Sequence, residues 1–250
     1  MPEPSSDLQV AEGLAFALVD GEGLILDVNA DRYVALDAIG ARVWLAFSGG
    51  RDRIAAADVV ANDCGLSADQ ARAEVDGCLE AWQQSGLVTG RPPLSAERLR
   101  FKPLVPDRLD AVPAEMLASA RPSPRVLCRL ILAWRWTAKT MAQGIRPAFE
   151  ALQAAAPAPP TTDTAGQLST ICTIVRAFGA LRLPFNQGAD DCLPRSIHLA
   201  RALHRSGIPA DVCFGVRKFP FAAHAWVESC GFLLAESTST VAQLARIARF

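Results

Sequence analysis

The chain has 250 residues, 50% of them hydrophobic, and a formal net charge of −1, so it can bury one sizeable core or two smaller ones. Its seven cysteines form no C-x-x-C pair, which argues against a disulfide framework and a zinc site and favours a reducing cytoplasm. The acidic N-terminus lacks the apolar stretch of a signal peptide, and the most apolar stretch, 126–138, is short and contains Arg129 and Arg135. We therefore expect a cytoplasmic protein without a membrane span.

Charge is divided unevenly along the chain. Residues 1–90 carry 15 acidic and 5 basic side chains, a net charge of −10, whereas residues 91–250 carry 11 acidic and 20 basic side chains, a net charge of +9. The second of these ranges begins with residues 91–124, which are rich in proline, a residue that removes backbone donors and breaks helices. The sequence thus predicts an N-terminal domain at 1–90, an extended connector at 91–124 and a second domain at 125–250.

The N-terminal domain begins with strands and continues with helices. Short apolar runs predict strands at 14–19, 24–28 and 32–36, and Asp20-Gly21-Glu22-Gly23 is predicted to form the first turn. Helical periodicity follows around Ile39–Phe47, Ile54–Val60 and Ala71–Trp82. Three strands and three helices are typical of a winged helix-turn-helix. DNA binding, however, is not expected of it, because a net charge of −10 repels phosphates and no Lys/Arg cluster marks a recognition helix.

Three segments of this domain resemble the PqqD-like precursor-recognition domain, namely Asp27 to Leu36, Gly40 to Trp44 and Leu79 to Val88. Members of that group bind a leader peptide as an added strand beside the third strand, where main-chain hydrogen bonds give affinity and side-chain pockets give specificity. The resemblance implies leader-binding residues Asp31, Arg32, Tyr33, Val34, Ala35 and Leu36 on the strand, and Val75, Asp76, Leu79 and Glu80 on the last helix. The alternative is that Tyr33, Val75 and Leu79 are ordinary core residues. An acidic domain suits a leader that carries lysine or arginine.

In the second domain, apolar residues at helical spacing predict helices around 126–134 and 171–178. After them, Gly188 to Ser196 ends a loop and opens a helix with Cys192 in its first turn. Asp190 or Asp191 is predicted to cap this helix, and Pro194 is tolerated just inside it. The helix dipole and the free backbone N–H groups at that position favour a thiolate, the nucleophilic form of cysteine. The alternative is that Cys192 is a small core residue.

A cysteine nucleophile needs a base, and helix geometry ranks the three histidines. His198 follows Cys192 by six residues, a rotation of about 240°, so it points away from the thiol. His204 lies about 18 Å along the helix axis, too far to take the proton. His224 is the remaining candidate, with a surface or core histidine as the alternative.

His224 belongs to a predicted strand, Ala222 to Glu228, which Ser229-Cys230-Gly231 connects to a second strand, Phe232 to Glu236. If these three loop residues close the hairpin, His224 lies opposite Glu236, with Cβ atoms about 5 Å apart. A two-residue turn would instead put Glu236 opposite Ala225, on the other face.

Two further acids could orient the imidazole in place of Glu236. They are Asp211, on a predicted strand at 211–216, and Glu228, two positions after His224 on the same strand. A helix from Val241 to Arg249 is predicted to end the chain.

The second domain also resembles a known family. Cys192-Leu193-Pro194-Arg195-Ser196, Arg205 to Ala210, Gly215 to Arg217 and Ala223 to Glu228 are similar to the transglutaminase-like cysteine protease domain of lasso peptide B proteins. The resemblance implies that Cys192 is the nucleophile and His224 the base, and that Glu236 stands where the family usually has an aspartate. Papain-like folds use a glutamine shortly before the cysteine, so Gln187 is a candidate for the oxyanion hole.

The fold expected from both domains is α+β, with a winged helix-turn-helix joined to a papain/transglutaminase-like domain whose antiparallel sheet packs on the nucleophile helix. B proteins cut the leader from a ribosomally made precursor so that a partner cyclase can close the lasso ring. The expected partners are therefore a lasso precursor peptide and an asparagine-synthetase-like cyclase, with no nucleic acid, no metal and no cofactor. Two alternatives remain: transglutaminase-type or acetyltransferase-type acyl transfer, and a nonenzymatic scaffold that binds the leader.

Overall fold

The computed structural model describes residues 8–90, 99, 101–104, 109–158, 164–181 and 191–250. The chain divides into two compact units, Met1–Arg100 and Phe101–Phe250. The finer division into two domains and a connector at 91–124 stays a prediction. No described helix has both the length and the apolar character that a membrane span requires.

The first unit combines short antiparallel strands with three described helices. Its elements are β1 (Gln9–Val10), β2 (Leu14–Val19), β3 (Glu22–Asp27), β4 (Arg32–Leu36), α1 (Ala38–Ser48), α2 (Arg53–Cys64), α3 (Ala68–Ser85) and β5 (Val88–Thr89). Strands β2, β3 and β4 form a three-stranded sheet in that order, and β1 pairs with β5. Strands β2, β3 and β4 and the three helices agree with the predicted elements, whereas β1 and β5 were not predicted. The arrangement of these elements as a winged helix-turn-helix stays a prediction.

The turn between β2 and β3 is shorter than predicted. Val19 pairs directly with Glu22, so the turn consists of Asp20 and Gly21. Both have positive φ, 51° and 83°, as in the tight hairpin turns whose twist matches that of the flanking strands. The strand β3 therefore begins two residues earlier than the predicted residue 24.

Side chains cap the helices of this unit and fill its core. Asp37 accepts a hydrogen bond from the backbone of Gly40 at the start of α1, and Ser67 and Gln70 form a reciprocal capping box at the start of α3. Trp44 of α1 and Trp82 of α3 meet edge to face, with their ring centroids 5.2 Å apart. The two helices are thus fixed against each other by aromatic packing.

The strand β4 is an edge of the three-stranded sheet. The N–H of Val28 donates to the carbonyl of Gly13 at 3.0 Å, so Val28 directs its backbone groups toward β2. Backbone direction alternates along a strand, so Ile25 faces β4, where it pairs with Val34. The next residue of β4, the exposed Ala35, therefore directs its N–H and C=O away from β3.

The second unit packs helices against a mixed sheet. Its described elements are β6 (Asp110–Ala111), α4 (Ala114–Ser119), α5 (Pro124–Met141), α6 (Ile145–Ala154), α7 (Thr164–Ala180), α8 (Cys192–His204), β7 (Asp211–Arg217), β8 (Ala222–Ser229), β9 (Phe232–Leu234), α9 (Thr238–Val241) and β10 (Ala245–Arg249). The strand order is β10-β7-β8-β9-β6, with only the β6–β9 pair parallel. Helix α8 packs on β8 and β7.

The predicted C-terminal helix is wrong. Residues Ala245–Arg249 form β10, which pairs with β7, and only Thr238–Val241 is helical. The helical spacing of Val241 and Leu244 in an alanine-rich segment favours a helix locally, but pairing with β7 buries Ile247 and Ala248 almost completely. Tertiary pairing overrides the weak local preference.

The predicted three-residue loop of the β8–β9 hairpin is also wrong. Ser229 pairs with Phe232, so the turn consists of Cys230 and Gly231, with φ of 52° and 81°. This register places Glu236 beyond the end of β9, out of line with His224. The strand register therefore does not by itself bring the side chain of Glu236 to His224.

Candidate active site

Cys192 is the first residue of α8, as predicted. Asp191 occupies the N-cap position but makes no capping hydrogen bond through its side chain, so the predicted side-chain cap is wrong for this residue. Asp190 and the oxyanion candidate Gln187 lie outside the described residues. Pro194 stands in the first turn of α8, where its missing N–H leaves no intrahelical bond unmade.

The N-terminus of α8 lies against an open stretch of β8. Strand β9 pairs with β8 only from Val227 to Ser229, so nothing among the described strands covers that side of β8 at Ala225. The backbone of Ala225 hydrogen-bonds to the sulfur of Cys192, and its carbonyl accepts from the buried Ser196 hydroxyl at 3.0 Å. Helix α8 thus takes the position of a missing neighbouring strand and is fixed to β8 next to His224.

A side-chain hydrogen bond joins Cys192 to His224. Burial alone would raise the pKa of the Cys192 thiol. Hydrogen bonds from His224 and from the backbone of Ala225, the charge of His224 and a backbone hydrogen bond at Leu193 outweigh burial, and the pKa of Cys192 lies below its ordinary value. This environment favours the thiolate.

Glu236 is the acid that contacts His224. The Nε2 atom of His224 lies 2.7 Å from Oε2 of Glu236, and the other oxygen, Oε1, accepts from the backbone N–H of Ser237 at 3.0 Å. Because Nε2 faces the carboxylate, Nδ1 is the ring nitrogen left for the thiol.

The pKa values of these two groups shift in opposite directions. The hydrogen bond with Cys192 is the largest influence on the pKa of His224, and together with Glu236 it raises that pKa despite partial burial. Burial of Glu236 acts to raise its pKa, but the Ser237 N–H, His224 and the charge of Arg195 together lower it. Both shifts favour an imidazolium that bridges a thiolate and a carboxylate.

The two rival acids bind other partners. Glu228 is buried, accepts a hydrogen bond from the indole of Trp226 at 2.7 Å, and pairs with Arg246 at 2.8 Å. Asp211 pairs with Arg249 at 2.6 Å and with Lys102. Neither carboxylate is available to orient His224 directly. The Glu228 pair instead fixes Trp226, whose ring stacks beside His224 with centroids 6.5 Å apart.

The other two histidines are buried away from this group. Nε2 of His198 lies 2.9 Å from the carbonyl of Leu130, and burial lowers its pKa to about 4. Nε2 of His204 lies 2.9 Å from the carbonyl of Ala210, and burial lowers its pKa as well. Both are uncharged at neutral pH and serve packing.

Two functional contacts were missed at the level of sequence. Ser196 fixes Ala225, as described, and Arg195 donates from Nη2 to the carbonyl of Ala235 at 3.1 Å. Both follow Cys192 by three or four residues on α8, and this spacing places side chains on one face of a helix. That spacing is the signal that could have identified them.

In the first unit, the structure separates the predicted leader-binding residues into two groups. Val75 and Leu79 are 1% and 0% exposed, within the core, so they offer no surface to a docked strand and fit the alternative interpretation as core residues. Asp76 and Glu80 are exposed on α3. On β4, Leu36 is buried, Tyr33 and Val34 are partly buried, and Arg32 and Ala35 are exposed, as is Asp31 in the turn before the strand. Arg32 pairs with Asp27 at 3.1 Å.

Within the described part of the chain, no group of three or more His, Cys, Asp or Glu residues could hold a metal ion. The arrangement of Cys192, His224 and Glu236 supports nucleophilic chemistry at a carbonyl.

Comparison with known proteins agrees with the two units. Residues 127–249 match the model of the transglutaminase-like superfamily, and residues 22–88 match that of coenzyme PQQ synthesis protein D (PqqD). No curated protein matches the chain. A solved structure that matches is TbiB1 in complex with the TbiA(beta) leader peptide, at 20% sequence identity and a TM-score of 0.32, over 34% of this chain and 99% of that one. The chain is thus a fusion of a PqqD domain with a transglutaminase-like domain, as the sequence resemblance predicted.

Proposed function

We propose that this protein is a lasso peptide B protein, a leader peptidase that binds the leader of a ribosomally made precursor and cleaves it from the core. The observation that carries the proposal is the hydrogen-bonded line from Cys192 through His224 to Glu236. It lies in a transglutaminase-like domain that is fused to a PqqD domain. Cys192 acts as nucleophile, His224 as acid and base, and Glu236 orients the imidazole.

The reaction follows from the charges of the three groups. The Cys192 thiolate attacks the carbonyl carbon of the bond between leader and core. The C–N bond breaks as the His224 imidazolium donates its proton to the departing amine. Water then attacks the thioester while His224 takes a proton from it, and the leader leaves with a free carboxylate. The released core carries a free α-amino group, which a partner cyclase can use to close a ring.

Leader binding is proposed for the free edge of β4. The N–H and C=O of Ala35 point away from β3, which is the geometry that an added peptide strand requires. Glu80 on α3 supplies exposed negative charge in the same unit, whereas the exposed Asp76 pairs with Arg53 at 2.9 Å. A leader with lysine or arginine suits this surface.

The first prediction tests the nucleophile. We expect Cys192→Ala to abolish cleavage of the precursor while leader binding stays unchanged, because the leader-binding edge belongs to the other unit. The readouts are mass spectrometry of the cleavage products and fluorescence anisotropy of a labelled leader. Cys128→Ala, which removes an exposed thiol from α5, is the matched control and should retain full activity. Normal turnover by the Cys192→Ala protein would refute the proposal.

Acyl transfer is the second candidate function, because the matched superfamily is described as transglutaminase-like. The same thioester could be resolved by an amine instead of water. Incubation of precursor and protein with a primary amine separates the two outcomes, since an amide adduct on the leader, seen by mass spectrometry, would favour transfer. A free carboxylate at all amine concentrations would favour hydrolysis.

A further inference from the structure

Glu236 reaches His224 even though the strand register does not bring them together. The pairing of Val227 with Leu234 would put Glu236 opposite Ala225 if β9 continued, and its side chain would lie on the face away from His224. Strand β9 instead ends at Leu234, and Ala235 adopts a left-handed conformation with φ of 56°. This one residue turns the chain and brings Glu236 onto the imidazole.

Alanine rarely adopts this strained conformation, which persists only where its surroundings enforce it. Arg195 supplies a contact that does so. Its Nη2 donates to the carbonyl of Ala235 at 3.1 Å, and its guanidinium lies over the ring of Phe178, 5.8 Å from the centroid. The carbonyl of Ala235 is therefore fixed from α8, the helix that also carries Cys192.

The charge of Arg195 acts on the same segment. Burial acts to raise the pKa of Glu236, and Arg195 is one of the groups that lower it, after the Ser237 N–H and His224. A planar guanidinium can donate to a carbonyl, stack on an aromatic ring and face a carboxylate at once, which an ammonium group cannot do with the same geometry.

We propose that Arg195 is a positioning residue that holds Ala235 in its left-handed conformation and thereby keeps Glu236 on His224. The proposal adds a residue to the peptidase mechanism and rests on the proposed function, in which His224 is the acid and base for Cys192. Arg195 acts through Glu236 and does not itself touch the reacting atoms. The alternative is that Arg195 binds the substrate independently of Glu236.

A double-mutant cycle of Arg195→Ala and Glu236→Ala separates these possibilities. The readout is the rate at which iodoacetamide alkylates Cys192 as a function of pH, followed for each cysteine by mass spectrometry with the exposed Cys128 as internal reference. The titratable and charged groups that act on Glu236 are His224 and Arg195, and those that act on His224 are Cys192 and Glu236. Loss of Glu236 from the imidazole lowers the pKa of His224.

The pH window in which the thiolate and imidazolium coexist should therefore narrow from its alkaline side, where His224 loses its proton. We expect Arg195→Ala to slow alkylation near neutral pH by roughly tenfold, within the range for coupled neighbours. In the Glu236→Ala background the same change should have little further effect. Equal effects in both backgrounds, or an unchanged profile for Arg195→Ala, would overturn the proposal.

Three further variants complete the test. Arg205→Ala removes the same charge from the exposed end of α8 and should leave the profile unchanged. Arg195→Lys should restore part of the rate, and Arg195→Gln keeps a neutral donor for the Ala235 carbonyl if the alanine variant does not fold. Alkylation requires no peptide, so this test does not depend on cleavage. If the effects of Arg195→Ala and Glu236→Ala are coupled but the parent protein fails to cleave precursor, the peptidase proposal is refuted and the positioning role of Arg195 stands.

Discussion

Ala235 is the residue on which the geometry of the candidate triad depends most directly. Its left-handed conformation ends β9 and directs the next side chain, Glu236, to Nε2 of His224 at 2.7 Å. An ordinary extended residue at this position would continue the strand and remove the acid from the imidazole. The φ angle of Ala235 therefore determines whether the Glu236 carboxylate reaches the imidazole of His224.

A pair of substitutions at Ala235 tests this dependence. Ala235→Val introduces a β-branched side chain that strongly disfavours positive φ, so the segment should return to an extended conformation and Glu236 should leave His224. We expect kcat/KM for the precursor to fall by roughly tenfold, which corresponds to about 1.4 kcal/mol, toward the low end of the usual strain of about 1–3 kcal/mol. Steady-state cleavage assays measure the change.

Ala235→Gly is the control for that prediction. Glycine adopts positive φ without a steric cost, so the contact between Glu236 and His224 should persist and activity should stay near the parent value. Equal activity in the valine and glycine variants would show that the conformation of residue 235 does not govern the triad.

At the scale of elements, the β8–β9 hairpin is turned by two residues with positive φ. Glycine suits the second position, Gly231, but Cys230 stands at the first, with φ of 52°. Asparagine is far more common than cysteine in this conformation, and Asn-Gly is a preferred pair for such turns. The hairpin therefore carries a local strain that a single substitution can relieve.

We expect Cys230→Asn to stabilise the second unit by about 1 kcal/mol, at the low end of what left-handed strain costs. For a unit of this size the melting temperature should rise by about 2–4 °C per kcal/mol, measurable by differential scanning calorimetry. The thiol of Cys230 donates to Oε1 of Gln167 at 3.2 Å, and an asparagine amide can donate there as well. Cys230→Ala is the control and should show no gain, so equal melting temperatures for both variants would contradict the explanation.

The same hairpin shows how far the sequence predicts the site. The order of strands and the helix dipole at Cys192 could be recognised from apolar runs, turn residues and caps, and elimination among the histidines left His224. The contact of Glu236 with His224 was expected from a three-residue loop that does not exist. In the structure the same contact forms through a two-residue turn and the left-handed conformation of Ala235. No local sequence pattern predicts an alanine in that conformation.

The C-terminal strand was not predictable for a different reason. The alanine-rich segment 241–249 has local helical spacing, and only the distant pairing of β10 with β7 decides its conformation. Arg246 and Arg249 of this strand neutralise Glu228 and Asp211, the two acids that the sequence offers as alternatives to Glu236. Long-range ion pairs thus settle which carboxylate remains for the imidazole.

At the scale of the whole molecule, the proposed function divides binding from chemistry. Residues 1–90 have a net charge of −10 and contain the PqqD match, whereas residues 91–250 have a net charge of +9 and contain the candidate triad. A peptide bound by its leader presents its scissile bond at a high effective concentration, so the active site itself needs little affinity. The two steps should then be separable by mutation.

Ala35→Pro on β4 tests that separation. Proline removes an N–H that points away from β3, and it is tolerated on edge strands because no ladder bond of the sheet is lost. A hydrogen bond contributes about 0.5–1.5 kcal/mol, so leader affinity and 1/KM for the full precursor should fall by up to roughly tenfold. The kcat value should stay unchanged, because Cys192, His224 and Glu236 lie in the other unit.

A short peptide that spans the scissile bond but lacks the rest of the leader provides the comparison. Its cleavage should be slow and identical in the parent protein and in Ala35→Pro, since it never uses the edge of β4. Ala35→Ser keeps the backbone N–H at the same exposed position and should bind leader normally, and melting curves check that all variants fold. If Ala35→Pro slowed cleavage of both peptides equally, the edge of β4 would support the fold and not the leader, and recognition would have to be sought on another surface of the first unit.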